Sequence, residues 1–180
     1  MSEPGRRYLS TSWYDPRVQI HRSTISGGGM FAAEPIRVGE VVAIVGGTPM
    51  TTAEFAAYRA SVARWNAHQI GENTHLVDLI QSPDRVEGSL NHSCDSNLWM
   101  GDEVTITARR DIAAGEELTL DYALTTVDST WRLDQPCRCG AAACRRVVTG
   151  DDWRLPEVQA RYADHFTPFI NERIRGQSAP

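Results

Sequence analysis

The stretch Gly-Glu-Glu-Leu-Thr-Leu-Asp-Tyr at residues 115–122 decides the fold. It begins with a glycine turn and continues as a strand in which polar and apolar residues alternate up to Tyr122. A related pattern occurs earlier, where Ile-x-x-Gly-Glu-x-Val-x-Ile at residues 36–44 matches Ile-x-x-Gly-Glu-x-Leu-x-Leu at residues 112–120. Both segments predict a strand, a glycine turn and a second strand.

The rest of the chain predicts further strands and two peripheral helical regions. Strands are expected at residues 18–20, 30–32, 41–45, 76–80 and 104–108. Thr51 and Glu54 form a capping box before a helix over residues 53–67. Near the C-terminus, Asp151 and Asp152 can cap a helix, Pro156 suits a first helical position, and a helical stripe follows. The stripe consists of Val158, Tyr162, Phe166 and Phe169 or Ile170. The predicted fold class is therefore mostly β with peripheral helices.

Length and composition restrict the function. The 180 residues suffice for one domain with a substantial core, and 41% of them are apolar. No apolar stretch approaches the roughly 20 residues of a membrane span, and residues 1–15 contain no export signal. We therefore expect no membrane association and an intracellular, cytoplasmic location, or a nuclear or chromatin-associated one if the source is eukaryotic. The formal net charge of −5 argues against direct nucleic acid binding and suits a basic polypeptide substrate. Nothing indicates the oligomeric state.

The four cysteines predict a metal site. Cys137, Cys139 and Cys144 form Cys-x-Cys-x4-Cys, and Cys94 lies 43 residues before the first of them. Four clustered thiolates suit one tetrahedral structural zinc ion. Disulfides are the alternative, but pairing within Cys-x-Cys is geometrically awkward and the chain has no export signal. Four unrelated buried thiols are a second alternative that would not explain the clustering.

The glycine turn at residues 27–29 has three interpretations. Gly27-x-Gly29-x-x-Ala32 formally fits a dinucleotide-binding fingerprint. That fold needs a helix to begin at the turn, and Pro35 lies where its first full turn should form. The dinucleotide interpretation is therefore rejected. Two interpretations remain: a turn whose glycines let a ligand approach the backbone, and an ordinary hairpin turn.

The polar loop Asn-His-Ser-Cys-Asp-Ser-Asn at residues 91–97 adds a last motif. Taken in order, the glycine turn, this loop, the stretch 115–122 and the cysteine cluster resemble a SET domain followed by its post-SET zinc segment. The resemblance covers residues 18 to 144. Residues 88–90 read Gly-Ser-Leu where that family usually has Arg-Phe-Ile, and Ser96 stands where it usually has Pro.

The resemblance implies a fold, a set of site residues and an activity. The fold would consist of small curved β-sheets with a knot-like C-terminal threading. The cofactor S-adenosylmethionine would be bound by Gly28, Gly29, Met30, Phe31, Asn91, His92 and Tyr122. Tyr122 would also be the catalytic residue, and Cys94, Cys137, Cys139 and Cys144 would bind the zinc ion. The implied activity is methyl transfer to the side-chain amine of lysine in a protein substrate.

The resemblance also divides the chain. We expect an N-terminal extension (1–17), the SET domain (18–125) with an insert at 51–87 that holds one helix, the post-SET zinc segment (126–150) and a C-terminal helical extension (151–180). A zinc ion would hold residues 137–144 against the loop 91–97. A SET-like binding module without turnover and a zinc-stabilised interaction protein without a cofactor are the alternatives.

The chain contains no lysine, since all 18 of its basic residues are arginine. A lysine methyltransferase of this composition cannot methylate its own side chains. Any acceptor lysine must therefore come from another chain.

Overall fold

The computed structural model describes residues 8–63, 65–79 and 90–177. The strands in these ranges are β1 (Trp13–Tyr14), β2 (Val18–Arg22), β3 (Gly28–Ala32), β4 (Val41–Ile44), β5 (Thr48–Met50), β6 (Asn66–Gly71), β7 (Thr74–Asp78), β8 (Asn91–His92), β9 (Leu98–Met100), β10 (Thr105–Ala108) and β11 (Glu117–Leu120). The helices are α1 (Thr52–Ser61), α2 (Pro156–Arg161) and α3 (Pro168–Gln177), with 3₁₀ turns at Tyr122–Leu124 and Asp152–Arg154. The prediction of a mostly β protein is confirmed.

The strands form three small sheets. The first has the order β1-β4-β10-β9, the second β2-β3-β11-β8 and the third β5-β7-β6. Neighbouring strands are antiparallel except β8 and β11, which run parallel. Parallel neighbours cannot be joined by a tight hairpin and need a longer crossover connection. Here the connection from β8 to β11 contains β9 and β10, which belong to the first sheet.

The sequence echo forms a reciprocal contact between its two copies. Ile36 and Ile112 exchange backbone hydrogen bonds of 3.0 and 2.8 Å. Gly39 and Gly115 have φ angles of +83° and +80°, a conformation that glycine adopts without steric cost. The amide of Gly39 donates to the carbonyl of Ala108 at 2.8 Å, and the amide of Gly115 donates to the carbonyl of Ala32 at 2.7 Å. The Ile36–Ile112 pair therefore links the two segments that connect the first and second sheets, whereas each glycine amide bonds to a strand of the sheet that its own turn enters.

The helix of the insert begins where predicted and ends earlier. Both hydrogen bonds of the capping box between Thr51 and Glu54 are present. The helix stops at Ser61, and Val62 is already extended, with φ −127° and ψ 149°. The predicted end at residue 67 is wrong because residues 66–71 pair with β7 instead. Sheet pairing overrides helix propensity here. The strand predicted at residues 76–80 is observed at 74–78, and Ile80 lies outside the described residues.

The main core lies between the first two sheets and the C-terminal helices. Its C-terminal members are Trp153, Val158, Tyr162, Phe166, Phe169 and Ile170. These residues include the predicted helical stripe, but only Val158 lies in α2 and only Phe169 and Ile170 lie in α3, whereas Tyr162 and Phe166 belong to the connection between the two helices. The chain reverses at Asp164, whose φ is +62°, and Pro168 begins the next helix. No helix in the described part of the chain is long and apolar enough to span a membrane.

Candidate active site and cysteine cluster

The site begins where β8 lies beside the end of β11. Asn91 pairs with Thr119 and His92 pairs with Leu120 in the parallel register. Tyr122 lies two residues after Leu120 and starts a 3₁₀ turn. The Asp121 side chain caps this turn by accepting from the amide of Ala123 at 3.1 Å. The pairing thus brings the predicted loop and the predicted tyrosine together, although they are 30 residues apart.

Asn91 connects this strand pair to the glycine turn. Its buried side-chain amide donates to the carbonyls of Ser26 and Gly28 at 3.1 and 3.0 Å, and to Oε1 of Glu117 at 2.8 Å. Gly29 is buried beside Glu117, and a Cβ built on Gly29 would overlap that carboxylate. A side chain at position 29 would therefore displace the Glu117 carboxylate, which also accepts from Asn91 and Ser23, and the exposed backbone at Gly28 is held next to Asn91.

The other two residues of the glycine segment differ in accessibility. Met30 is only 2% exposed and its side chain belongs to the main core. It could therefore take part in a cofactor site only through its backbone. Phe31 is half-buried and contacts the ring of His21 edge-on, with centroids 5.6 Å apart. Its side chain is available to a ligand.

His92 is a buried neutral imidazole. Its Nδ1 accepts a hydrogen bond from the amide of Tyr122 at 3.2 Å. The proton therefore belongs on Nε2, which lies 3.2 Å from Sγ of Cys94. Burial lowers the pKa of His92 to about 4. Because both ring nitrogens are engaged within the protein, His92 can offer a ligand chiefly its backbone.

Tyr122 presents a neutral phenol. Its hydroxyl donates to the carbonyl of Leu90 at 2.8 Å, and its ring lies against His92 and Trp131 at centroid distances of 5.1 and 5.9 Å. Burial raises the pKa of Tyr122 to about 12. The hydroxyl can therefore orient a polar group but does not act as a phenolate at neutral pH.

Tyr122 forms part of the wall of a cavity of about 340 Å³. The cavity is lined by residues of α1, β6 and β7, by residues of the first sheet and by the segment 120–131. Its aromatic and acidic lining residues are Tyr14, Phe55, Trp65, Asp78, Tyr122, Asp128 and Trp131. Arg59 of α1 also lines it, 3.6 Å from Asp128, with its guanidinium 5.8 and 5.7 Å from the rings of Phe55 and Trp65. A cationic side chain is thus accommodated between aromatic faces and a carboxylate.

The four cysteines lie together. In the described part of the chain they are the one group of three or more potential ligands, and their sulfur atoms all lie within 4.8 Å of one another. The sulfurs of Cys94 and Cys137 are 4.0 Å apart, about twice a disulfide bond length. A tetrahedral zinc ion with Zn–S distances of about 2.3 Å would hold sulfurs roughly 3.8 Å apart. The cluster therefore fits zinc.

The thiols of the cluster differ in acidity. Burial raises the pKa of Cys94 to about 11 and raises that of Cys137 further. Burial acts in the same direction on Cys139, but backbone hydrogen bonds from Cys94 and Ala141 and side-chain hydrogen bonds from Cys137 and Cys144 outweigh it and lower its pKa to about 7. A central metal ion would offset the mutual repulsion of several thiolates.

Sequence reasoning missed the residues that hold the loop 93–97. The amide of Ser96 donates to the hydroxyl of Tyr162 at 3.0 Å, and Arg161 donates to the carbonyl of Cys94. Arg109 donates to Asp95 and to the carbonyl of Ser96, both at 2.8 Å. The aromatic cavity residues were missed as well, because Phe55, Trp65 and Trp131 belong to no motif.

Asp152 was expected to cap a helix, and this expectation is wrong. Its carboxylate instead bonds Arg145 at 2.7 Å and Thr149 at 2.8 Å. Asp151 makes no capping hydrogen bond with its side chain. The carboxylate of Asp152 is thus committed to a buried ion pair.

Comparison with known proteins assigns the fold to a family. The profile described as "SET domain" matches residues 27–123. The chain is 33% identical over 159 residues to histone-lysine N-methyltransferase ATX2 of Arabidopsis thaliana, which covers 82% of this chain and 14% of the relative. It is 30% identical over 178 residues to histone-lysine N-methyltransferase ash1 of Drosophila melanogaster, which covers 91% of this chain and 8% of the relative.

A solved structure has a similar fold. The methyltransferase domain of human histone-lysine N-methyltransferase SETMAR superposes with a TM-score of 0.56 at 23% sequence identity. The alignment covers 73% of this chain and 57% of the other. The chain spans only a small part of the curated relatives that it matches, since it covers 14% and 8% of the two described above. The profile matches more than half of the 180 residues, and the chain therefore belongs to the SET-domain family.

Proposed function

We propose that this chain is an S-adenosylmethionine-dependent protein-lysine N-methyltransferase. The observation that carries the proposal is the position of Tyr122. Its neutral phenol forms part of a cavity wall, and its backbone is bonded to the strand whose Asn91 fixes the glycine turn. Membership of the SET family and the names of the two relatives support the same activity.

The cofactor would be held by backbone and by a few side chains. We assign it to Gly28 and Gly29, the backbone of Met30, the ring of Phe31, and Asn91 and His92. When bound, S-adenosylmethionine would supply the methyl group and a positive sulfonium charge. The hydrogen bonds of Asn91 to the carbonyls of Ser26 and Gly28 hold the glycine turn beside β8.

The substrate lysine would enter the cavity beside Tyr122. Producing the neutral amine at pH 7 costs about 4 to 5 kcal/mol for a lysine with an ordinary pKa near 10.4. A lysine side chain against the aromatic walls at Phe55, Trp65 and Trp131 would be partly desolvated, which would lower that pKa. Tyr122 would orient the amine lone pair through its hydroxyl, which stays protonated.

The cysteine cluster would hold one structural zinc ion through Cys94, Cys137, Cys139 and Cys144. Cys94 lies three residues from Asn91, so a metal at this place would fix the segment 137–144 against the cofactor loop. The relatives are named for histone lysines, and an acidic chain suits a basic tail. A lysine-bearing basic protein segment such as a histone tail is therefore the proposed substrate.

Radiolabelled methyl transfer from S-adenosylmethionine to histones or mixed lysine peptides tests the proposal. Because the chain contains no lysine, label on a lysine side chain must belong to the added substrate. We expect Tyr122→Phe to lower turnover by about 100-fold or more with the fold retained. Tyr58→Phe, on the insert helix, is the matched control. A folded Tyr122→Phe protein with near-normal turnover contradicts the catalytic assignment.

Two alternatives give different results in binding experiments. A SET-like module without turnover would bind S-adenosylmethionine but transfer no label to any substrate. An interaction protein without a cofactor would show neither binding nor a thermal shift. A cofactor at 100 times its Kd should raise the free energy of unfolding by about 2.7 kcal/mol.

A further inference from the structure

A buried arginine links the cysteine cluster to Tyr122. Arg145 directly follows Cys144, and its guanidinium donates two hydrogen bonds of 2.7 Å to the carboxylate of Asp121. Its Nε donates to Asp152, also at 2.7 Å. The side chains of Arg145, Asp121 and Asp152 are only 10%, 0% and 8% exposed. Water therefore contributes little to solvating these charges, and each depends on the others.

The contacts of Arg145 complete a closed path of hydrogen bonds and covalent links that includes both the cysteine cluster and Tyr122. The backbone amide of Arg145 donates to Sγ of Cys94 at 3.3 Å. The same sulfur lies 3.2 Å from Nε2 of His92, and Nδ1 of that ring accepts from the amide of Tyr122. Asp121 precedes Tyr122 in the chain and completes the path. The sulfur of Cys94 is thus connected to Tyr122 by two routes, one through His92 and one through Arg145 and Asp121.

The second route restrains the backbone of the tyrosine. Asp121 accepts the Ala123 amide at 3.1 Å, which starts the 3₁₀ turn that carries Tyr122. Its two oxygens are held by the planar guanidinium, a geometry that a lysine could not reproduce. Any displacement of the segment after Cys144 would therefore move Asp121 and the turn with it.

We propose that Arg145 is a positioning residue that makes the orientation of Tyr122 depend on the metal bound by the four cysteines. The importance for turnover rests on the proposed methyltransferase function, whereas the structural coupling does not. Arg138, which lies between two cysteines, is exposed and has no such contacts among the described residues. It provides a matched control.

The coupling can be read by NMR on the full chain with ¹³C-labelled tyrosine, with and without zinc. The Tyr122 signal is assigned by its absence in Tyr122→Phe. We expect zinc removal to shift or broaden this signal in the wild type and in Arg138→Gln. In Arg145→Gln with zinc bound, the signal should resemble that of the zinc-free wild type. If the Tyr122 signal of the wild type does not change when zinc is removed, the proposal is overturned.

Kinetics provide the second measurement. With zinc bound, Arg145→Gln should lower kcat by about 10- to 100-fold, because a displacement of about 1 Å of a group at the reacting centre can cost about 100-fold, with KM for the peptide nearly unchanged. Arg145→Lys should recover only part of kcat. Normal kcat and a normal Tyr122 signal in zinc-loaded Arg145→Gln overturn the proposal. If the wild type transfers no methyl group, the proposed function fails while the NMR result still decides the coupling.

A second variant decides the question if Arg145→Gln folds poorly or does not retain zinc. Asp152→Asn removes one charge partner of Arg145 and leaves the cysteines and Asp121 intact. We expect it to retain zinc and to shift the Tyr122 signal in the same direction by a smaller amount. An unchanged Tyr122 signal in zinc-loaded Asp152→Asn overturns the proposal.

Discussion

Replacing Tyr162 with Phe should destabilise the loop that connects the proposed cofactor and metal sites. Tyr162 and Ser96 are both fully buried, and the Tyr162 hydroxyl accepts the amide of Ser96 at 3.0 Å. Phe fills nearly the same volume but leaves this buried amide without its partner. Leaving a buried donor unsatisfied costs about 1 to 3 kcal/mol. The free energy of unfolding should fall by that amount.

Urea unfolding followed by circular dichroism measures this change. With a slope of about 2 kcal/mol per molar urea, the midpoint should fall by about 0.5 to 1.5 M. Hydrogen exchange at the Ser96 amide gives a local measure, and its protection should fall by about 5- to 150-fold. Tyr58→Phe is the control and should change stability by less than about 0.5 kcal/mol. An unchanged midpoint together with unchanged protection of Ser96 refutes the reasoning.

A double-mutant cycle makes the test specific. The SET family usually has Pro at position 96, and a proline has no amide to leave unsatisfied. In the Ser96→Pro background, Tyr162→Phe should therefore cost about 1 kcal/mol less than in the wild type. Equal costs in the two backgrounds would mean that the hydroxyl acts through some other contact.

Three further changes test other parts of the structure. Gly29→Ala should displace the Glu117 carboxylate, destabilise the protein by about 1 to 3 kcal/mol and weaken S-adenosylmethionine binding, measured by calorimetry; unchanged affinity would contradict this. Burial lowers the pKa of His68 to about 4, so the unfolded state takes up a proton first as the pH falls from 6.5 to 4, and stability should decrease by about 3 kcal/mol. His68→Gln should remove that part of the pH dependence in urea unfolding, and an identical profile would refute the assignment. Cys139→Ser should reduce zinc from about one ion per chain to well below one by elemental analysis, whereas full occupancy would exclude Cys139 as a ligand.

Local patterns in the sequence predicted much of the fold. The strand before Tyr122, the paired glycine turns and the capping box at Thr51 depend on neighbouring residues, and each is observed, although β11 is buried on both faces and not on one alone. The convergence of the cysteines also followed from their spacing. The division of the chain into the SET domain (18–125), the zinc segment (126–150) and the two extensions stays a prediction.

Contacts between distant segments account for what the sequence patterns missed. The helix of the insert ends at Ser61 because the following residues find a strand partner in β7. The C-terminal stripe is divided by the reversal at Asp164, which lets both helices pack on one core. Helix propensity and hydrophobic periodicity describe a segment by itself and do not include such competition.

The sequence by itself determined the strand and turn pattern, the clustering of four thiols, the lysine-free composition and the family resemblance that singled out Tyr122. Only the tertiary structure decided how these parts are connected. Arg145 reaches Asp121 across 24 residues and Tyr162 reaches Ser96 across 66. Buried polar groups must find partners wherever the fold brings them, and no periodicity records which partner that is. For that reason the cysteine cluster could be predicted from spacing, whereas its link to Tyr122 became visible only in three dimensions.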